Sequence, residues 1–263
     1  MHFIKYMGSK SRIAKEIVPI IQSYIDNNTI NNYYEPFVGG ANVIDKIKCS
    51  NKYGSDLNKY LIALLQYVQL GGKLYDNVSR AFYNEVRTVY KNNTNEFTDY
   101  EIGNVGFLAS SGGRFFDGGY AKPVFTKTKT GKVHYRNYYA EAVSNLMKQV
   151  SNIQDVKFRC CDYKEIKVSN SVIYCDPPYA NTKTYYVNTK AYANSTKFNH
   201  SEFWNVMSKW SSNNIVLVSE LIAPDDWVCI WRKHNIQRSL GENNKQRAVE
   251  KLFIHKTNLT NKL

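Results

Sequence analysis

The chain has 263 residues, of which 43% are hydrophobic and 14% aromatic, so it can bury a full core and is not a disordered polar chain. Its 35 Lys and Arg against 22 Asp and Glu leave a formal charge of +13, which favours a polyanionic partner. The five cysteines show neither a CxxC pair nor a Cys/His zinc spacing, and no apolar run is long enough for a bilayer. A reduced cytoplasmic setting, with no structural metal and no membrane, is therefore expected.

In chain order, SKSRIAKEIVPIIQSYI places Ile13, Ile17, Ile20 or Ile21, and Tyr24 on one face at helical spacing. Ser9 or Ser11 is the candidate cap, and Pro19 is an internal blemish at which the helix can kink. NYYEPFVGGANVIDKI reads as a short strand, a turn at Gly39 and Gly40, and a helix. KYGSD is a second strand ending in Asp56, followed by the amphipathic helix LNKYLIALLQYVQL. Beyond residue 70 the texture changes. A helical piece around Leu74 to Tyr90 leads into ASSGGRFFDGGYAKPVFTKTKTGKVHYRNYY, rich in Gly, Lys, Arg and Tyr. Strands resume with KFRCCDY and SVIYCD, then a helix carrying Phe203, Val206, Met207 and Trp210 on one side. NIVLVSE, WVCIW and KLFIHK close the chain as strands. Strands alternating with helices argue for an α/β fold with a largely parallel sheet covered on both faces. On this pattern residues 1–70 and 151–263 form one domain, and 71–150 are an insertion in it.

The chemistry concentrates where VIYC runs into Asp176, Pro177, Pro178 and Tyr179. A buried strand cannot keep a proline, so the strand ends there with a carboxylate at its carboxyl edge, where open α/β sheets bind ligands. Asp176 is an acceptor, and the prolines expose carbonyl oxygens without adding N–H donors. Paired acceptors suit an amine, and Tyr179 can stack on a flat ring. An anion-binding or acyl-transfer site needs donors instead. Gly39 and Gly40 serve either a simple βα turn or close approach of a ligand to the backbone, and no GxGxxG or Walker pattern marks a phosphate cradle. Asp56 either caps the following helix or bonds ribose hydroxyls.

Taken in order, these motifs resemble the S-adenosylmethionine-dependent amino-methyltransferases, specifically the α-class, Dam-type DNA adenine-N6 methyltransferases. YMGSK (Tyr6 to Lys10) looks like the family's motif X, EPFVGG (Glu35 to Gly40) like motif I, and DPPY like the catalytic motif IV, with a variable recognition segment between the last two. The likeness covers most of the chain. Ala41 stands where the family often has glycine, and the insertion lacks the hairpin sequence of GATC-reading enzymes. The resemblance implies a Rossmann-like class I methyltransferase sheet with an inserted, smaller target-recognition domain, and S-adenosylmethionine as methyl donor with no metal. It implies that Tyr6 and Lys10 contact the cofactor, and that Glu35, Phe37 and Gly39 line its methionine end. Asp56 takes its ribose or adenine side, Asp162 lies beside its adenine, and Asp176 adjoins it. Asp176, Pro177, Pro178 and Tyr179 receive an adenine flipped out of double-stranded DNA, with NTKTYYVNTKAY closing over it. A monomer acting in a bacterial cytoplasm, or as a phage protein in that of its host, fits this class. The alternatives are an RNA or other exocyclic-amine methyltransferase and a non-catalytic DNA-binding relic.

In the insertion, Arg114, Lys122, Lys127, Lys129, Lys132 and Arg136 are interleaved with aromatics and glycines, which suits a hairpin lying against a groove. Read singly, each is first of all an ordinary solvated loop charge.

Overall fold

The computed structural model describes residues 8–128, 130–179, 198–236 and 247–261. Tyr6, Lys129 and the segment NTKTYYVNTKAY lie outside them. The frame is a seven-stranded sheet, ordered β5-β2-β1-β6-β7-β9-β8. Its strands are β1 (Asn32–Glu35), β2 (Asn51–Asp56), β5 (Val156–Cys160), β6 (Val172–Cys175), β7 (Ile215–Ser219), β8 (Trp227–Ile236) and β9 (Arg247–His255). β1, β2, β5, β6 and β7 run parallel, while β9 inserts antiparallel between β7 and β8. A separate hairpin joins β3 (Val124–Lys127) to β4 (Val133–Arg136).

The central strands are buried along their whole length because both faces are covered. The two-residue repeat of a strand divides them between layers. Val172 and Tyr174, Ile215 and Leu217, and Leu252 and Ile254 enter one layer with Ile17 and Ile21 of α1 (Ala14–Asn27) and Leu61 and Leu65 of α2 (Lys59–Gln69). Ile173, Cys175, Val216, Val218 and Phe253 enter the other with Phe203 and Met207 of α6 (His200–Trp210). Each such buried Ile or Leu contributes about 1.5–3 kcal/mol.

The caps are local. Asn58 accepts from the backbone N–H of Tyr60 and Leu61 to start α2, and Asn199 accepts from that of Glu202 to start α6. Ser9 caps only the short 3-10 turn Lys10–Arg12; α1 itself has no side-chain cap and continues through Pro19.

Two expected helices differ from the sequence reading. After Gly40 there is only a 3-10 turn, Ile44–Lys46, because Gly39 (φ 47°) and Ala41 (φ 54°) both adopt left-handed backbone and the chain leaves extended at Ile47. The helix placed around Leu74 begins at Arg80, where Ser79 caps α3 (Arg80–Asn92) by accepting from Phe82 N–H.

Residues 71–150 share the main core. Tyr83, Val86 and Tyr90 of α3, Ile102 of α4 (Asp99–Gly103), and Phe107 and Phe115 pack in one cluster with Leu61 and Leu64. The approach of α4 to α2 depends on Gly103, since a Cβ there would lie 2.2 Å from the Tyr60 carbonyl oxygen. From α5 (Tyr138–Ile153), Leu146 and Ile153 join the same core. The hairpin between Lys122 and Arg136 is what stands out into solvent, with Phe125 73% exposed. Among the described residues, no helix is long and apolar enough to cross a membrane.

Candidate active site

β1 and β6 lie side by side, but the chain departs from them in opposite directions, from β1 to β2 and from β6 to β7. Such a reversal leaves a crevice at the carboxyl ends of the strands. All five strands of the parallel run bring an acid to this edge. Asp162 follows β5, Asp56 ends β2, Glu35 ends β1, Asp176 follows β6 and Glu220 follows β7. Antiparallel β9 carries Glu250 back to the same edge, because Ser219 at the end of β7 pairs with Leu252.

Asp176 is the centre of a tight group. The Lys10 ammonium donates to Asp176 Oδ1 at 2.9 Å, stands 3.8 Å from Glu250 Oε2, and lies 4.4 Å from the centroid of the Tyr179 ring. The Tyr179 hydroxyl donates to Glu250 Oε2 at 2.8 Å, and Lys10 also donates to the Gly8 carbonyl at 3.3 Å. Burial pushes the Asp176 carboxyl up to about 6; the Lys10 ammonium pulls it down, Glu250 pushes it up, and the Tyr179 hydroxyl lowers it. Pro177 is buried at the strand's end and Pro178 half-buried, and Pro177 has no N–H to prolong the ladder.

The glycine turn is held from two sides. Asp56 accepts from Gly39 N–H (3.1 Å) and Asn58 N–H (2.9 Å), so it ties the turn to the start of α2 while Asn58 does the capping. From α5, Gln149 Nε2 lies 3.1 Å from the Gly40 carbonyl oxygen, 2.9 Å from that of Ala41 and 3.2 Å from Asp45 Oδ2. Glu35 accepts from the Tyr33 hydroxyl at 2.7 Å, and burial drives its carboxyl well above the usual carboxylate range. Phe37 packs its ring against Tyr163, Phe198 and Phe203 at centroid distances of 5.3, 6.1 and 5.9 Å. Asp162 caps a 3-10 turn by accepting from Lys164 N–H at 2.9 Å.

Thus Lys10, Glu35, Phe37, Gly39, Asp56, Asp162 and the run Asp176 to Tyr179 share one sheet edge. Arg114, Lys122, Lys127, Lys132 and Arg136 are exposed and belong to the segment between α4 and α5. Arg136 is engaged by Glu141 through two hydrogen bonds, at 2.6 and 2.9 Å. Sequence reasoning missed Glu250 and Gln149. Gln149 had a signal: it lies between Leu146 and Ile153 on the apolar stripe of α5, where a polar side chain must find partners inside. Glu250 had none, since its place depends on β9 turning back between β7 and β8.

Strand order, an antiparallel β9 within a parallel sheet, and an Asp-Pro-Pro-Tyr run at the switch point define the class: this is a Rossmann-like methyltransferase. Residues 6–236 match the D12 class N6 adenine-specific DNA methyltransferases, and the chain belongs to that family. It is similar to the Type II methyltransferase M.MjaIII of Methanocaldococcus jannaschii, 24% identical over 199 residues, which cover 67% of this chain and 68% of that protein. Site-specific adenine-N6 methylation of DNA, expected from the motif order, is the activity this family carries.

Proposed function

We propose that the chain, as a monomer, transfers the methyl group of S-adenosylmethionine to N6 of an adenine turned out of duplex DNA, and that the Asp176 edge is its active site. The observation that carries this is the Lys10 amine seated on Asp176 Oδ1 at 2.9 Å: the strand end already receives an N–H donor. The N6 amine is a weak nucleophile because its lone pair is delocalised into the ring. Asp176 and the Pro177 carbonyl accept its two hydrogens and localise that lone pair. Tyr179 stacks on the purine and offsets part of the few kcal/mol spent in unstacking it.

The edge also fits the methyl donor. Glu35 is buried and raised, so it gains from an arriving ammonium such as that of the methionine moiety. Beside the glycine turn, Asn42 is buried with neither amide atom partnered among the described residues, which suits a polar ligand there. Glu35, Phe37, Gly39 and Asp56, with Tyr6 and Asp162, would hold the cofactor, whose sulfonium supplies an already activated methyl group. The residues of this chain then contribute position and charge placement and need no metal.

Residues 71–150 are proposed as the target-recognition part, with Arg114, Lys122, Lys127, Lys129, Lys132 and Arg136 meeting phosphates or base edges. Labelled methyl transfer to unmethylated duplex DNA and to RNA, with the product nucleoside identified, tests the reading. N6-methyladenine in DNA is expected. Label confined to RNA, or found on cytosine, overturns it.

A further inference from the structure

Lys10 and Glu250 are not needed to bond the target amine, yet they surround the group that is. Lys10 is 8% exposed, while Asp176 and Glu250 retain 19% and 17%. One ammonium therefore serves two largely buried carboxylates, and one of these is bonded to the hydroxyl of the stacking tyrosine. Lys10 is fixed in place by the 3-10 turn Lys10–Arg12 and its Ser9 cap.

We infer that Lys10 and Glu250 are positioning residues for methyl transfer: Lys10 keeps Asp176 an ionised acceptor facing the amine, while Glu250 draws on the same ammonium and holds the Tyr179 ring in place. The inference rests on the reaction proposed above. Its logic is that of coupled carboxylates. Without the ammonium, two buried carboxylates beside each other retain a proton between them. A protonated Asp176 presents an O–H to the amine and ceases to localise its lone pair. Lys10 need not leave when the amine arrives, because a carboxylate has about four acceptor sites. The other groups facing Asp176 are Glu35 from β1, Tyr174 and Cys175 from β6, and Tyr179; burial raises all four. Lys10 is the cation that lowers Asp176, and Glu250 the carboxylate that opposes it.

The test is the single-turnover rate of methyl transfer to duplex DNA across pH, for wild type, Lys10→Met, Lys10→Arg and Glu250→Gln. The wild-type rate should fall below a pH of about 6, where Asp176 takes up its proton. Lys10→Met should move that acid limb up by about one pH unit or more, as expected for loss of an opposite charge within contact distance. Lys10→Arg should stay near wild type, and Glu250→Gln should move the limb down. Carbon-13 NMR titration of the aspartate carboxyls in the free enzyme, with Asp176→Asn assigning the resonance, should show the same opposed displacements. Coincident limbs and titrations, or displacement of both variants in one direction, overturn the inference while leaving the reaction intact. If Lys10→Met does not fold, the Glu250→Gln limb and titration decide alone. A wild type that transfers no methyl to DNA overturns the reaction and this inference with it.

Discussion

The carboxyl edge of the sheet and the β3–β4 hairpin are opposites in charge and in burial. Along the edge, Glu35, Asp56 and Glu220 are buried acids, and Asp176 is nearly so. On the hairpin, Lys127, Lys132 and Arg136 lie in solvent beside the ring pair Phe125 and Tyr135, whose centroids are 5.0 Å apart. The formal charge of +13 describes surfaces like the hairpin and conceals the acidic interior edge. A net charge thus points to the partner, while the buried minority sign points to the chemistry done on that partner.

The acidic edge is most sensitive at Asp176. Asp176→Ala should lower the single-turnover rate at least about 100-fold, since the proposed principal acceptor for the reacting amine is lost. DNA affinity at low salt should change little, because the hairpin proposed to meet phosphates is untouched; an equally large loss of binding would show that the two regions are not separable. Next in size is Gln149→Leu, which strips the donor from two backbone carbonyls of the glycine turn. It should cost about 1–3 kcal/mol in unfolding experiments and weaken S-adenosylmethionine binding measured by calorimetry. The hairpin should answer differently. Replacing Lys127, Lys129 and Lys132 by Ala should reduce the slope of log affinity against log salt by about 0.9 for each lysine that meets a phosphate, with the thermal midpoint unchanged. The smallest effect belongs to Ala41→Gly. It relieves a left-handed backbone (φ 54°) but loses a buried methyl, so stability should stay within about 1 kcal/mol of wild type.

These regions were not equally legible. The central strands VIYC and IVLVS announce themselves as short apolar runs followed by an acid, and the prolines after Asp176 mark the strand's end by simple valence. The pairing of Lys10 with Asp176 joins positions far apart in the chain that only the folded sheet brings together, so Lys10 was expected at the cofactor and its bond to Asp176 was not foreseen. The turn after Gly40 looked helical because VIDKI carries helical spacing; the two left-handed residues before it are invisible to periodicity. Lysines on an exposed hairpin carry no pattern that separates a phosphate contact from a solvated charge, and there the sequence stays silent.

In the proposed reaction Asp176 is kept buried and ionised for its chemistry, against the stability of the fold. In the fold its carboxyl titrates at about 6 against an ordinary 3.8, so the folded chain holds the proton more tightly than the unfolded chain does. The stability this confers is complete below a pH of about 4 and is lost as pH rises through about 6. Asp176→Asn does not titrate and so has no such loss, although it leaves the buried Lys10 ammonium with one carboxylate fewer at every pH. The deciding measurement is thermal unfolding of wild type and Asp176→Asn at pH 5 and pH 7.5, with methyl transfer followed in the same samples. The expected result is an inactive variant whose midpoint, relative to wild type, rises between pH 5 and pH 7.5. An inactive variant whose midpoint relative to wild type is the same at the two pH values, or falls from pH 5 to pH 7.5, would contradict it.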